Sequence, residues 1–143
     1  MAINFDQILY DLQAAINANI TGIQNSFVEG EAHEIENMSN MPLANYRLDT
    51  EQVDTIYVRD GFSSNFSIAI DLITFDLGNF EDAVSARSDL VISVRDYLIA
   101  NPIFSNSIIS SQITNIYFTT PVGSGGGQLA MATIILLCKL YAE

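Results

Sequence analysis

The strongest hydrophobic pattern lies near the C-terminal end of the chain, where residues 112–120 and 129–141 read as two long strands. The second segment is apolar on both of its alternating faces. One face carries Leu129, Met131, Ile135, Leu137 and Tyr141, and the other carries Ala130, Ala132, Ile134, Leu136, Cys138 and Leu140. A strand solvated on one face alternates apolar and polar residues, so both faces are expected to be covered. The rest of the chain offers little to cover the second face, and we predict that another copy of the chain does so.

A glycine-rich stretch, Pro121 to Gly127, separates these two segments. Its composition predicts a flexible hairpin tip outside regular structure. No Lys-Ser or Lys-Thr follows it, so it is not a phosphate-binding loop. We predict a docking loop, with an ordinary flexible turn as the open alternative. The docking candidates are Val122, Gly123, Ser124, Gly125, Gly126 and Gly127.

Two stretches have apolar residues at the three- and four-residue spacing of amphipathic helices. The first runs from about Phe5 to Ile20, with Asn4 as its N-cap and Gln7 placed for a capping box. The second runs from about 79 to 100 and ends before Asn101-Pro102. Each helix therefore presents one apolar stripe to a common core.

Strand patterns fill the region between the two helices. Residues 45–48 predict a short strand and 54–59 a better one, followed by an Asp60-Gly61 turn and a clear strand at 66–75. In that last strand Ile73 and Phe75 lie on the face away from the main apolar set. The candidates for contact with a neighbouring subunit are Ile73, Phe75, Ile135, Leu137 and Tyr141.

The order of these elements predicts an α+β fold. We expect residues 1–143 to form a single domain, with a mostly antiparallel sheet of two hairpins and both amphipathic helices packed on one face.

The chain is strongly acidic, with 17 Asp and Glu against 5 Lys and Arg and a net charge of −12. Such a surface repels nucleic acid and argues against a DNA-reading module. No N-terminal signal pattern and no apolar run of membrane-spanning length is present, which favours folding in the cytoplasm.

Candidate chemistry is sparse. His33 lies among glutamates but has no second His or Cys, and a solvated loop is favoured over a metal site. Cys138 sits among apolar neighbours, as an inert buried thiol does. We predict no catalytic residue, no cofactor and no metal.

The chain resembles the tail terminator, or tail completion, proteins of tailed bacteriophages. The resemblance rests on the N-terminal helix, the Pro-Leu-Ala-Asn-Tyr-Arg-Leu segment at 42–48, the Asp60-Gly61 hairpin, the helix ending at 98–102 and the final strand pair. It implies a structural, non-enzymatic protein that forms a ring, expected to be a hexamer, on the head-proximal end of the tail tube. The implied partners are the tail tube protein and the neck or connector protein. The resemblance also implies that DNA passes through the ring without specific binding, and that the protein belongs to the virion after assembly in the host cytoplasm.

In such a ring, acidic walls would let DNA slide past. The channel-wall candidates are Glu29, Glu31, Glu34, Glu36, Asp49, Glu51 and Asp54. Two alternatives stay open: another small neck or head-completion subunit, and a cytoplasmic α+β ligand-binding domain or enzyme that dimerises through its sheet.

Overall fold

A computed structural model describes residues 4–31, 41–54, 62–76, 80–124 and 127–142. Within these residues, two helices and five strands follow one another. They are α1 (Phe5–Asn19), β1 (Asn25–Val28), β2 (Leu43–Asp54), β3 (Phe62–Asp76), α2 (Phe80–Ala100), β4 (Ser110–Ser124) and β5 (Gly127–Ala142).

The five strands form one sheet in the order β1-β2-β3-β5-β4. β2 and β3 pair antiparallel, as do β4 and β5, and the two hairpins join through antiparallel pairing of β3 with β5. The predicted α+β fold with a sheet of two hairpins is therefore confirmed. The short parallel strand β1 at the β2 edge is not predicted, because its sequence Asn-Ser-Phe-Val is too short to show an alternating pattern.

β2 corrects the prediction of two separate strands in this region. A single strand runs from Leu43 to Asp54 and pairs with β3 throughout, with a bulge between Leu48 and Thr50. A bulge inserts one residue and shifts the alternation of faces, so one strand reads in the sequence as two. Residues 55–59 and the Asp60-Gly61 turn lie outside the described residues.

The β4–β5 hairpin is longer than its sequence predicts. The prediction that residues 121–127 lie outside regular structure is wrong, since β4 continues to Ser124 and β5 begins at Gly127. Pro121 is tolerated because β4 is an edge strand and a register shift separates Thr119 from Val122.

The helices begin and end close to their predicted bounds. The Asn4 side chain caps α1 by accepting a hydrogen bond from the Gln7 backbone N–H at 3.0 Å. The capping box is only half formed, because the Gln7 side chain instead donates to Asp11 one turn further on. Both helices bury their stripes in one cluster with the sheet, so they cover the same face.

The core lies between the helices and this face of the sheet. Its helical members include Ile8, Leu12, Val91 and Leu98, and the sheet supplies Tyr46, Phe66, Ile68, Ile70, Ile134 and Leu136. Phe5 and Phe66 meet edge to face, with ring centroids 5.1 Å apart. Neither of these two helices packs on the opposite side of the sheet, called here the second face.

Candidate assembly surfaces

The second face is apolar at one end. Met41, Leu43 and Ile73 form a small buried cluster there, and Phe27, Phe75, Leu129 and Met131 pack around it. Ile73 is only 6% exposed within the single chain, so it offers little surface of its own, and its contact with a neighbour stays a prediction. Phe75 is half-buried and keeps surface that a neighbour can contact.

The middle of the second face is polar. Asp71 is buried and accepts hydrogen bonds from the Arg47 guanidinium at 2.9 Å and from the Thr133 hydroxyl at 2.7 Å, with the Asn45 amide at 3.5 Å. The bond to Asp71 raises the pKa of Arg47 above its ordinary value, and this outweighs the opposing effect of desolvation. The carboxylate is satisfied inside one chain, so it serves the fold and fixes β2, β3 and β5 to one another.

The other end of the second face carries Ile135 and Leu137, both half-buried. They lie opposite Ala69 and Ser67 of β3. These small partners leave the larger side chains partly uncovered, so the structure brings two predicted interface residues into one patch. Tyr141 lies in β5 opposite Ser63, and its side chain lies outside the described residues.

Glu29 follows β1 and is held against β2. Its backbone adopts a φ of 52°, its N–H donates to the Tyr46 carbonyl and its carboxylate accepts the Leu48 N–H, both at 2.8 Å. The next residue, Gly30, donates to the Asn45 side chain at 2.9 Å. A Cβ on Gly30 would lie 2.8 Å from that of Phe27, so this close approach requires glycine.

The other channel-wall candidates fall into three groups. Glu31 and Asp49 are exposed, and Asp49 approaches Arg47 at 4.0 Å. Glu51 and Asp54 belong to β2, and their side chains lie outside the described residues. Glu34 and Glu36 lie outside the described residues altogether.

Sequence reasoning overlooked Arg47, which lies among three of the acidic residues. Asp71 binds it directly, Asp49 lies beside it, and the Glu29 carboxylate adds to the field that favours its charged form. Acidic charge is therefore partly compensated at this point of β2.

The Arg87 side chain of α2 is directed at the sheet. It is 9% exposed and donates to the carbonyls of Thr119 at 2.8 Å and Met131 at 3.4 Å. The register shift after Thr119 in β4 interrupts the ladder where its carbonyl accepts this bond. Arg95 does pair with its neighbour Asp96, at 3.0 Å.

The predicted docking loop is the end of the β4–β5 hairpin. Val122 pairs with Leu129, Gly123 with Gln128 and Ser124 with Gly127. Gly125 and Gly126 lie outside the described residues. The structure thus gathers the four described candidates at one end of the sheet, and the docking role of the set stays a prediction.

The cavities are small. One of about 270 Å³ lies between the end of α2 and the start of β4, lined by Leu98, Ile99, Pro102, Ser111, Gln112 and Ile113. Across the described part of the chain, no group of His, Cys, Asp and Glu has the proximity of a metal site. Cys138 is fully buried, and desolvation raises the pKa of its thiol to about 12.

Within the described residues, neither helix combines the length and apolar character needed to cross a membrane.

No protein-family model and no curated protein matches the chain. Among solved structures, it is similar to a chain from the virion of the native gene transfer agent particle, with a TM-score of 0.50 and 12% identity. The likeness covers 98% of this chain and 100% of the other. At this identity it concerns the fold, which the two chains share over nearly their whole lengths.

Proposed function

We propose that this protein is a structural subunit of a phage-type virion. Its copies form a ring, a hexamer, that caps the head-proximal end of the tail tube and joins it to the neck or connector, with DNA passing through the channel. The role requires no catalytic residue. The protein acts in the virion, after assembly in the host cytoplasm.

The observation that carries this proposal is the full-length likeness to a virion chain. Both chains are matched nearly end to end, so the shared unit is the whole subunit and not one recurring motif. The sequence resemblance to tail terminators supports the more specific role, since it rests on the order and lengths of the same elements.

Ring formation needs an apolar surface that the helices do not cover. The second face offers one at Ile135 and Leu137, with Phe75 at its other end. Burying a large aliphatic side chain is worth about 1.5–3 kcal/mol, so a few such contacts per subunit contribute usefully to a ring.

The test is the oligomeric state of the purified full-length chain, measured by light scattering and viewed by negative-stain electron microscopy. We expect rings, which a Leu137→Glu substitution disrupts. Ile92→Glu places the same charge on an isoleucine that is 46% exposed on α2 and serves as the matched control. Unfolding midpoints of both variants separate loss of assembly from loss of fold. A discrete dimer in place of a ring would contradict the proposal and favour a domain that dimerises through its sheet.

The hairpin end at residues 122–127 is proposed to dock on the tube or neck. Deleting Gly123, Ser124, Gly127 and Gln128 removes two cross-strand pairs and keeps the Val122–Leu129 pair next to the connection. We expect rings to form at normal yield but to bind purified tail tubes more weakly. If the shortened protein binds tail tubes as well as the wild type does, the hairpin end only connects β4 to β5 and has no docking role.

A further inference from the structure

The charges of this chain are unevenly distributed. From Tyr97 to Cys138 the sequence contains no Asp, Glu, Lys, Arg or His, although the whole chain carries a net charge of −12. This segment includes the end of α2, the connection to β4, all of β4 and most of β5. β5 lies inside the sheet, so the surface of the segment is mainly that of β4 and the connection.

Exposed apolar side chains concentrate on the same segment. Most of the large apolar side chains that the described residues expose lie there: Ile99, Ile103, Ile109, Tyr117 and Phe118, each at least 50% exposed. We call this surface the uncharged strip. The cavity between Ile99 and Ile113 links its helical end to β4, and Tyr117 lies roughly 13 Å beyond Ile113 along the strand, at about 3.3 Å per residue.

β4 also has a free edge. Among the described strands it pairs only with β5 and has no neighbour on its other side. Proteins usually protect such an edge with charged side chains, bulges or proline. β4 has two register shifts and Pro121 but no charge, and its regular stretch between the shifts, Asn115 to Thr119, carries the exposed Tyr117 and Phe118.

The opposite edge of the sheet differs. β1 spans only four residues, Asn25–Val28. The Gln13 side chain of α1 donates to the Ser26 carbonyl at 3.2 Å and to its hydroxyl at 3.0 Å, and the Asn17 amide donates to the same hydroxyl. This edge is short and partly capped by α1, so the long edge at β4 is the better place for a further contact.

We propose that the uncharged strip is the second self-association surface of the subunit, which receives a neighbouring copy of the same chain. The inference rests on the proposed ring. A closed ring is built from heterologous contacts, in which each subunit offers two different surfaces. The Ile135–Leu137 part of the second face is one of them, and the strip supplies the other along the β4 edge and the connection before it. The two surfaces meet at Tyr117, which pairs with Thr133 of the second face.

The charge of the chain favours another copy as the occupant. Two chains of net charge −12 repel one another wherever acidic surfaces face each other. A contact that adds no further charge to the interface avoids that cost and also avoids desolvating ionised groups. Association through the strip should therefore strengthen as salt rises, because salt screens the general repulsion while no attraction between ion pairs is lost.

The experiment compares Tyr117→Glu with Tyr10→Glu in the full-length chain. Tyr117 is 56% exposed and lies in the strip, and Tyr10 is 54% exposed and lies outside it. Each substitution therefore adds one negative charge at a similarly exposed tyrosine. We expect Tyr117→Glu to raise the midpoint concentration for ring formation about tenfold or more, and Tyr10→Glu to leave it near wild type. Ile103→Glu, in the connection at the other end of the strip and 61% exposed, should act like Tyr117→Glu. Because Tyr117 pairs with Thr133 of the second face, a loss of rings with Tyr117→Glu but not with Ile103→Glu would assign the effect to the second face and reject the strip.

Three further outcomes overturn the inference, and they are distinguishable. Rings that form equally well with Tyr117→Glu and Ile103→Glu reject the strip but leave the ring itself standing. If those rings form but no longer bind purified tail tubes, the strip belongs to the tube contact. A wild-type chain that stays monomeric at all concentrations and salts rejects both this inference and the proposed function.

Discussion

The guanidinium carbon of Arg87 lies 5.1 Å from the centroid of the Phe118 ring, and the same side chain donates to the Thr119 carbonyl. One residue of α2 thus holds the middle of the edge strand β4. Phe118 is 57% exposed, so the contact fixes an aromatic side chain at the surface. The attraction between the Arg87 cation and the aromatic face stabilises the Phe118 side chain in this position.

Replacing Arg87 by Ala should lower the free energy of unfolding by about 2 kcal/mol, since hydrogen bonds from a charged donor to two carbonyls are lost in a buried place. Arg95→Ala is the matched control on the same helix. Arg95 pairs with Asp96 at the surface, with 42% of its side chain exposed, so its loss should cost less than about 1 kcal/mol. Urea unfolding gives the free energy of unfolding of each variant. An equal loss in Arg87→Ala and Arg95→Ala would contradict the structural role given to Arg87.

Tyr46 is fully buried, and within the described residues its hydroxyl has no hydrogen-bond partner. A buried hydroxyl without a partner costs free energy that the folded chain must offset. Tyr46→Phe should therefore raise the free energy of unfolding by about 1 kcal/mol. Tyr97→Phe is the control, because the Tyr97 hydroxyl accepts a hydrogen bond from Asn19 at 3.2 Å and its removal should bring no increase. A loss of stability in Tyr46→Phe would show that its hydroxyl is satisfied.

Alkaline pH should destabilise the fold through two buried acids. Burial raises the pKa of Cys138 from 9.0 to about 12 and also raises the pKa of Tyr46. Above pH 9 the unfolded chain loses these protons while the folded chain keeps them, so stability falls as pH rises from about 9 toward 12. Urea midpoints between about pH 7 and pH 11 test this. Cys138→Ala should give a shallower decline, and a flat wild-type profile would contradict the prediction.

The helices and hairpins could be predicted because each has its own local signal. The stripe through Ile8, Leu12 and Ile16 and the two-faced apolar pattern of residues 129–141 need no knowledge of the rest of the chain. The hairpin end could not be predicted in the same way, since glycine composition alone does not reveal that Gly123 and Ser124 pair across the strands.

Features that depend on tertiary register could not be predicted. β1 forms because β2 offers a parallel edge to Asn25–Val28, which no local pattern encodes. Arg87 has aspartates nearby in sequence, but its carbonyl partners come from β4 and β5. Asp71 interrupts an apolar strand, and that interruption is the one signal that could have marked the buried polar centre of the second face.

The acidic channel wall gives the last prediction. Glu31 and Asp49 are candidates with exposed side chains. Glu29 is left unchanged because its carboxylate accepts a hydrogen bond from the Leu48 backbone N–H of β2. If the candidates face the channel, replacing Glu31 and Asp49 by Lys puts positive charge along the DNA path. Rings of this variant should retain duplex DNA, with a salt dependence that steepens by about 0.9 for each additional phosphate that a lysine neutralises. The control replaces Asp82 and Asp89, exposed on α2, by Lys and makes the same change in net charge elsewhere. Equal DNA retention by the two variants would mean that overall charge governs binding and that Glu31 and Asp49 do not line the channel.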